Sequence, residues 1–294
     1  MNTIESRLGP IISYEQARKS GMTRRQVARL APQRIARGHY SLTESVPLHA
    51  RAQAYLKLAG DHGVICGPTA LNLAGVNLPR RFIRDTRVWI QVPRQQTWPD
   101  RTEVRLVRTD RSGPILRRFG MPILDWPYCW LQLASESGID ELVEVADAMM
   151  RRKKPLTTKG ALANAVGSRP RMSGLARART ALSLSREGTD SIPETDLRLL
   201  LVRAGLPTPV INLAIVDSTG RTVYILDLAY EDCKVAVEYD GAYHVGDRTQ
   251  MYNDATRRRV LEDLGWRIIT VTSADMINDP DGVVASVRRA IFGR

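Results

Sequence analysis

The last hundred residues alternate between apolar and polar positions in a way that predicts a sheet with helices packed on it. The stretches "VINLAIV", "RTVYILDLAY", "KVAVEYD" and "WRIITVT" have the apolar content and the alternation of β-strands. Helical spacing occurs in "SIPETDLRLLLVRAG", which Gly205 ends, in a charged segment from about Asp247 to Leu264, and in "DGVVASVRRAIF". The order α-β-β-β-α-β-α predicts a mixed α/β (α+β) domain over residues 187–294.

The beginning of the chain predicts two short helices followed by a small β-wing. "ISYEQARKSGMTRRQVARL" breaks at Gly21, Thr23 is the N-cap of the second helix, and "RIARGHYSL" is rich in turn residues. This is the element order of a winged helix-turn-helix, so residues 1–80 are predicted to form a DNA-binding domain. The alternative is a solvated basic helix on a small helical domain. In the first interpretation the second helix presents three arginines to a DNA groove, namely Arg24, Arg25 and Arg29.

The pattern changes twice between these two regions. Helical spacing runs from His49 to Leu73, and residues 81–150 are predicted to form an α+β middle domain with strands at "RVWIQVP" and "EVRLVRT" and a helix at "GIDELVEVADAMM". Residues 151–186 contain ten lysines or arginines and no acidic residue, which predicts a basic helical connector. Such a run is either a solvated, self-repelling linker or a surface that follows the phosphates of DNA.

The composition of the whole chain favours a polyanionic partner. Its 294 residues carry a net charge of +12, with a pI of about 10.0, which attracts nucleic acid or an anionic membrane surface. Cys66, Cys129 and Cys233 lie far apart and match no metal-binding spacing, so free thiols in a reducing compartment are expected. Because the N-terminus lacks an apolar signal core and no apolar run approaches the length of a membrane span, a cytoplasmic location is predicted.

Carboxylates lie on two strands that are consecutive in the predicted sheet. Asp227 ends one apolar run, and Glu238 lies on the next strand after ten residues that include the turn "YEDC". If the two strands are antiparallel neighbours, both carboxylates come together, and Asp240 shares the face of Glu238. A divalent cation would remove the repulsion between them, which favours a Mg²⁺ or Mn²⁺ site. Alternatively, the carboxylates pair with the abundant arginines, and Asp240 caps the turn at Gly241.

A series of short motifs occurs in a fixed order in residues 187–294: "SIPE", "DL", "EYDGAYH", "DATR" and "LEDLGWRII". This series resembles the PD-(D/E)xK nuclease core, and more closely the uncharacterised domains related to the very-short-patch-repair (Vsr) endonuclease. Those domains carry an S-x-x-E helix start, a DL strand end, an E-x-D-G-x-x-H strand exit, a D-x-x-R helix and a closing L-x-x-L-G-W. The N-terminal segment resembles, more loosely, the winged-helix domain of AbiEi-type antitoxins.

The resemblance to these nucleases implies a metal site formed by Glu194, Asp227 and Glu238. It also implies that His244 carries a proton or contacts a phosphate. The lysine of the general E-x-K pattern is replaced here by Asp240, a change that the E-x-D relatives share. His244 is therefore the nearest substitute for a general base.

Several of these residues also have an ordinary structural interpretation. Ser191 and Glu194 have the spacing of a capping box, in which the glutamate reaches back to the start of its own helix. His244 follows a strand and fits a loop histidine equally well. Asp254 and Arg258 are four residues apart, which suits an exposed ion pair on a helix as well as a catalytic role.

Together these features predict a metal-dependent DNA endonuclease or nickase with an N-terminal DNA-binding module. Duplex DNA is the expected partner, and cleavage of both strands would require a homodimer or two binding events, because one centre cuts one strand at a time. The main alternative is an antitoxin-like transcriptional regulator, whose nuclease-like domain only binds DNA or a toxin or repair partner protein. A third interpretation is a nuclease that processes RNA.

Overall fold

The computed structural model describes residues 11–30, 33–36, 38–41, 46–96, 98, 102–110, 113–216, 219–241 and 258–293. The chain divides into two compact units, Met1–Ser135 and Glu136–Arg294. The class predicted from the sequence is confirmed, because both units combine helices with β-sheets and two of the three sheets are mixed.

The first unit begins with two helices and a three-stranded antiparallel sheet. Ser13 caps the first helix by accepting the Gln16 N–H at 3.1 Å, and Thr23 accepts the Gln26 N–H at 3.3 Å before the second. The helices predicted on either side of Gly21 are confirmed, whereas their assignment to a winged helix-turn-helix stays a prediction. The elements are β1 (Ile11–Ser13), α1 (Tyr14–Lys19), α2 (Arg24–Leu30), β2 (Gln33–Ala36) and β3 (His39–Ser41), with strand order β1-β3-β2.

The rest of the first unit is a five-stranded mixed sheet with helices. In this sheet β5 and β6, the two strands predicted in the middle region, run parallel. The elements are α3 (Leu48–Ala59), a 3₁₀ turn (Gly60–His62), β4 (Val64–Ile65), α4 (Gly67–Leu73), α5 (Arg80–Arg84), β5 (Val88–Val92), β6 (Val104–Arg108), β7 (Ile115–Arg118), β8 (Met121–Leu124) and α6 (Trp126–Leu133), with strand order β6-β5-β4-β8-β7.

The helical pattern predicted from His49 to Leu73 is wrong in its middle. The chain leaves α3 at Gly60, whose φ of +68° suits glycine, and forms β4 before α4 begins. A Cβ on Gly63 would lie 2.4 Å from that of Ala59, so the chain folds back on the helix too closely for a side chain. β4 lies before the predicted boundary at residue 80, and it pairs with β5 and β8, which follow that boundary.

The second unit contains the sheet predicted for the last hundred residues. Its strand order is β12-β11-β10-β9; β11 and β12 are parallel and the other neighbours antiparallel. Within the described ranges, no helix is both long enough and apolar enough to cross a bilayer. The elements are α7 (Ile139–Met149), α8 (Lys159–Gly167), α9 (Leu175–Leu184), α10 (Ile192–Arg203), β9 (Val210–Val216), β10 (Thr222–Tyr230), a 3₁₀ turn (Glu231–Cys233), β11 (Val235–Asp240), α11 (residues 258–263), β12 (Arg267–Thr272), α12 (Ser273–Asn278) and α13 (Pro280–Phe292).

Apolar side chains cover both faces of this sheet. On one face, α10 and α13 pack against β10, β11 and β12 through a core that includes Leu197, Val237 and Val287. On the other face, Leu261 of α11 and Trp266 pack against Ala236 and other small or apolar residues. Helices therefore pack on both faces of the sheet, as predicted.

The basic segment of residues 151–186 is part of the second unit. It forms α8 and α9 as predicted, and its apolar side chains are buried while most of its cations are exposed. The segment is thus an amphipathic layer whose charged side faces solvent. The buried side chains are Leu162, Ala165, Val166, Leu175, Ala178 and Ala181.

An acidic cluster on α7 and α10 gives the second unit a pH-dependent stability. Burial raises the pKa of Glu144 to about 7, and the carboxylates of Asp196, Glu141 and Asp140 add to this shift. The folded state therefore holds a proton that the unfolded chain releases at lower pH. It follows that the free energy of unfolding should fall as the pH rises from about 4.5 to about 7.

The Glu144→Gln variant should lack this part of the pH dependence, because glutamine does not titrate. The free energy of unfolding of the variant minus that of the wild type should therefore be larger at about pH 8 than at about pH 5. Urea unfolding at both pH values measures the difference, with Glu231→Gln, an exposed glutamate in the 3₁₀ turn, as the control. A difference between wild type and Glu144→Gln that is the same at both pH values contradicts the prediction.

Candidate functional site

Asp227 and Glu238 lie on two neighbouring antiparallel strands. The paired register of β10 and β11 ends with Leu228 opposite Val237, and Asp227 and Glu238 are the next residue of each strand. Both side chains are half-buried. The predicted antiparallel arrangement of these strands is thereby confirmed.

The Asp227 carboxylate is held by the backbone of β11. Its Oδ2 atom accepts the N–H of Tyr239 at 3.0 Å, so the side chain serves as an acceptor where a regular ladder uses a carbonyl oxygen. Tyr239 itself packs on the core beneath α10. The position of the carboxylate is therefore fixed by the sheet rather than by a flexible surface contact.

The alternation of side chains between the two faces of the sheet is interrupted in β10 at Asp227 and in β9 at its neighbour Asn212. Leu213 and Leu226 lie in the core with α11, whereas Ile211 and Leu228 lie in the core with α10. Residues two apart on a regular strand share a face, so both strands are irregular at this level. Asn212 has a φ of +50°, a left-handed conformation that asparagine tolerates better than most residues.

Glu194 reaches this site from the first turn of α10. Its carboxylate accepts the Ser191 hydroxyl at 2.7 Å and the Asp190 N–H at 3.1 Å, and Ser191 in turn caps the Glu194 N–H at 3.3 Å. Burial raises the pKa of Glu194, and the nearby Asp227 carboxylate raises it further. The Ser191 side-chain cap is therefore present, but the Glu194 carboxylate accepts the N–H of Asp190 rather than that of the N-cap residue Ser191. These contacts hold the glutamate close to Asp227.

Glu238 lies on the other side of the sheet from Glu194. Strand alternation gives Glu238 the face of Ala236, which packs with α11, while α10 covers the opposite face. This arrangement explains why the described residues contain no group of three or more His, Cys, Asp or Glu side chains placed to hold a metal ion. Of the three predicted metal ligands, Glu194 and Asp227 are the two that the structure brings together.

A buried ion pair fixes the helix that carries Glu194. The Asp147 carboxylate of α7 accepts hydrogen bonds from the Arg198 guanidinium at 2.6 Å, from the Thr195 hydroxyl at 3.0 Å and from the Arg186 N–H at 2.8 Å. Both side chains of the ion pair are 1% exposed, and burial raises the pKa of Asp147 although Arg198 opposes this. Thr195 follows Glu194 directly, so this contact fixes the first turn of α10.

The pairing of Asp147 with Arg198 is not predicted from the sequence, although both residues leave a signal there. Asp147 interrupts the apolar run "VEVADAMM", and Arg198 interrupts "LRLLL", so each places a charge in a helix that otherwise reads as buried. A charge at such a position is rarely buried unless it has a partner. Which partner each residue has depends on tertiary contacts that the sequence does not display.

The other predicted residues are placed as follows. Asp240 is exposed at the end of β11, and the Arg258 guanidinium lies 3.5 Å from the Glu262 carboxylate one turn further along α11. His244 and Asp254 lie outside the described residues, so their predicted roles stay predictions. Three arginines of α2 are exposed, namely Arg24, Arg25 and Arg29. Both the DNA-binding interpretation and the solvated-helix alternative require this exposure.

Residues 211–291 match the model of the family REase_MTES_1575, which is restriction endonuclease-like. This range covers the four strands, α11, α12 and most of α13. The match supports a nuclease-like C-terminal domain, as the resemblance of its motifs implied.

The chain is also similar to two uncharacterised proteins of Mycobacterium tuberculosis, MT2308 of strain CDC 1551 / Oshkosh and Rv2248 of strain ATCC 25618 / H37Rv. Each is 27% identical over 261 residues, which cover 87% of this chain and 91% of the relative. The similarity thus extends well beyond the nuclease-like domain, into the first compact unit.

Removing the Asp147 carboxylate should destabilise the second unit strongly. Asp147→Ala leaves the Arg198 guanidinium buried without its counter-charge, which should cost about 3–5 kcal/mol of unfolding free energy. Glu262→Ala is the control, because it breaks a pair with Arg258 in the same unit that is about half exposed and should cost about 0.2–1 kcal/mol. Urea unfolding compares the two; equal losses contradict the role given to Asp147.

Proposed function

We propose that this protein is a metal-dependent DNA endonuclease or nickase with an N-terminal DNA-binding module. The observation that carries the proposal is the approach of Glu194 to Asp227 in a domain that matches a restriction endonuclease-like family. Acidic side chains that share a partly buried place repel one another, and enzymes use such arrangements to hold a cation.

The donors at this site fit Mg²⁺ or Mn²⁺. Carboxylate oxygens are the hard ligands that these ions prefer, and Mg²⁺ is commonly bound by one or two carboxylates with water completing its shell. The raised pKa of Glu194 supports this assignment, because a cation would favour the charged form that burial and Asp227 disfavour. When bound, the ion would polarise a phosphate oxygen and lower the pKa of a water molecule.

In this proposal the protein orients the reacting groups through its own hydrogen bonds. Asp227 is positioned by the Tyr239 N–H, and Glu194 by Ser191 and the Asp190 N–H. His244 is assigned the proton transfer that a lysine performs in the general E-x-K pattern. Positioning of this kind contributes to the rate because it removes the need to order the groups during the reaction.

The resemblance of the C-terminal motifs to Vsr-related domains supports a DNA substrate. The N-terminal resemblance to AbiEi-type antitoxins supports a second DNA contact, made by α2 and the hairpin of β2 and β3. Both resemblances agree with the net charge of +12.

A transcriptional regulator is the second candidate function. It is favoured by the position of Glu238, which strand alternation places on the opposite face of the sheet from α10 and Glu194. In a regulator the nuclease-like domain would bind DNA or a partner protein without cutting. Incubation of supercoiled plasmid with Mg²⁺, Mn²⁺ or EDTA separates the two functions, since only an enzyme converts the plasmid to open-circular or linear forms.

Asp227→Asn should reduce plasmid cleavage by at least about 10²-fold, because it removes a charge that holds the cation. DNA affinity should be unchanged or higher, since the variant is less negative. Asp232→Asn, at an exposed aspartate in the 3₁₀ turn after β10, is the control and should cut normally. Cleavage by Asp227→Asn at the wild-type rate would show that the site is assigned wrongly.

The arginines of α2 should contribute to the salt dependence of DNA binding. Replacing Arg24, Arg25 and Arg29 with alanine should flatten the slope of log affinity against log salt by up to about 3 units, because each phosphate contact adds about 0.9. Metal-dependent cleavage should persist at high DNA concentration. Equilibrium binding at several salt concentrations gives the slope.

A control with the same loss of charge separates contact from net charge. Alanine at three other exposed arginines of the first unit should leave the slope nearly unchanged. If this variant flattens the slope as much as the α2 variant, α2 makes no specific contact with DNA. The control positions are Arg80, Arg84 and Arg117.

A further inference from the structure

Four consecutive basic residues form the loop that follows α7. This loop, Arg151–Lys154, opens the segment of residues 151–186, which contains no acidic residue. Arg152, Lys153 and Lys154 are exposed. Exposed cations repel one another only weakly in water, and a bound anion favours their proximity.

The loop has a fixed shape. The Arg151 Nε donates to the Lys154 carbonyl at 3.4 Å, and the Leu156 N–H donates to the Met149 carbonyl at 2.8 Å across the base of the loop. Lys154 has a φ of +54°, which is uncommon for a residue with a side chain. Unfavourable backbone conformations of this kind persist where the surroundings impose them, and they cluster at ligand-binding sites.

One line of contacts connects the loop with Glu194. The Arg152 guanidinium binds the Asp190 carboxylate, with a distance of 2.9 Å from Nε to Oδ2. The backbone N–H of the same Asp190 donates to the Glu194 carboxylate at 3.1 Å. Arg152 is thus separated from the candidate metal ligand by a single residue.

A second, independent line of contacts leads to Asp227. The Gly188 N–H donates to the carbonyl of Met150, directly before the loop, at 2.9 Å. The Gly188 carbonyl accepts the Asn212 side-chain amide at 2.6 Å, and the register of β9 and β10 places Asn212 opposite Asp227. The start of the loop and the two carboxylates therefore lie around the same short segment, residues 188–190.

We propose that the Arg151–Lys154 loop binds the phosphate backbone of duplex DNA directly beside Glu194 and Asp227. The inference rests on the proposed function, which it deepens by naming the surface that holds the strand at the site. A cationic loop next to a carboxylate pair solves a problem of charge, because a phosphodiester would otherwise be repelled by both acids. Arg152 uses Nε and Nη2 for Asp190, and a guanidinium has five N–H donors, so it can bind a phosphate oxygen as well.

Salt dependence of binding tests the loop in the full-length protein. Lys153→Ala combined with Lys154→Ala should flatten the slope of log affinity against log salt by about 1 to 2 units. The control combines Arg171→Ala with Arg179→Ala, which removes the same charge from exposed positions of the same unit. Equal slopes for the two variants would overturn the inference.

Crosslinking tests the contact without relying on cleavage. A photoreactive phenylalanine analogue replacing Lys153 should crosslink to a short duplex under light, and the same analogue replacing Arg179 should give little product. Efficient crosslinking from position 179 and none from position 153 would place the DNA elsewhere.

Cleavage tests the position of the loop relative to the site. Arg152→Gln should lower kcat at saturating DNA by about 10- to 100-fold, because a displaced phosphate reacts slowly; thermal unfolding verifies that this variant is folded. A kcat equal to that of the wild type would contradict the placement beside Glu194. If the wild type itself cuts no DNA with Mg²⁺ or Mn²⁺, the proposed function fails, and the slopes and crosslinks still decide whether the loop binds DNA.

Discussion

The buried pair of Asp147 and Arg198 is the interaction on which the geometry of the second compact unit depends. It joins α7 to α10 and also binds the backbone at Arg186, two residues after the end of α9. A buried charge is tolerated only next to its partner. If either helix slid, the charge on the other helix would stay buried without a partner, at a large cost in free energy. Because Thr195 belongs to the same cluster, the constraint continues into the turn that carries Glu194. The position of the Glu194 carboxylate is thus set from inside the helical layer.

The second unit carries two groups of like charge in addition to its ion pairs. Acidic side chains gather where α10 meets the sheet, and the cations of residues 151–186 cover the exposed side of the adjoining helices. The two groups meet where Arg152 binds Asp190, whose backbone N–H donates to Glu194. Like charges repel one another, so each group favours a bound ion of the opposite sign.

Much of this fold could be predicted because the sequence patterns of the last hundred residues are strong. Long apolar strands and capped helices determine their own structure, and the antiparallel pairing of β10 with β11 followed from a short turn. Other features depend on contacts that periodicity does not contain. β4 has only two residues and lies between helices, so its two apolar positions cannot be distinguished from a continued helical pattern. The close approach of the chain at Gly63 depends on tertiary structure. The loop beside Glu194 was recognised as basic, but its neighbours depend on the segment 188–190, almost forty residues away in sequence.

The interrupted alternation at Asn212 and Asp227 also constrains how the sequence of this domain can vary. A sequence designed for β9 and β10 with uninterrupted alternation would turn one half of each strand towards the wrong core. The phase of the hydrophobic pattern must instead slip in both strands at the same level. Natural variants that keep the sheet are therefore expected to change β9 and β10 together, as a matched pair. If β9 or β10 is considered alone, this interruption looks like a defect in its alternation. In the folded domain it coincides with the position where the Asp227 side chain binds the backbone of β11.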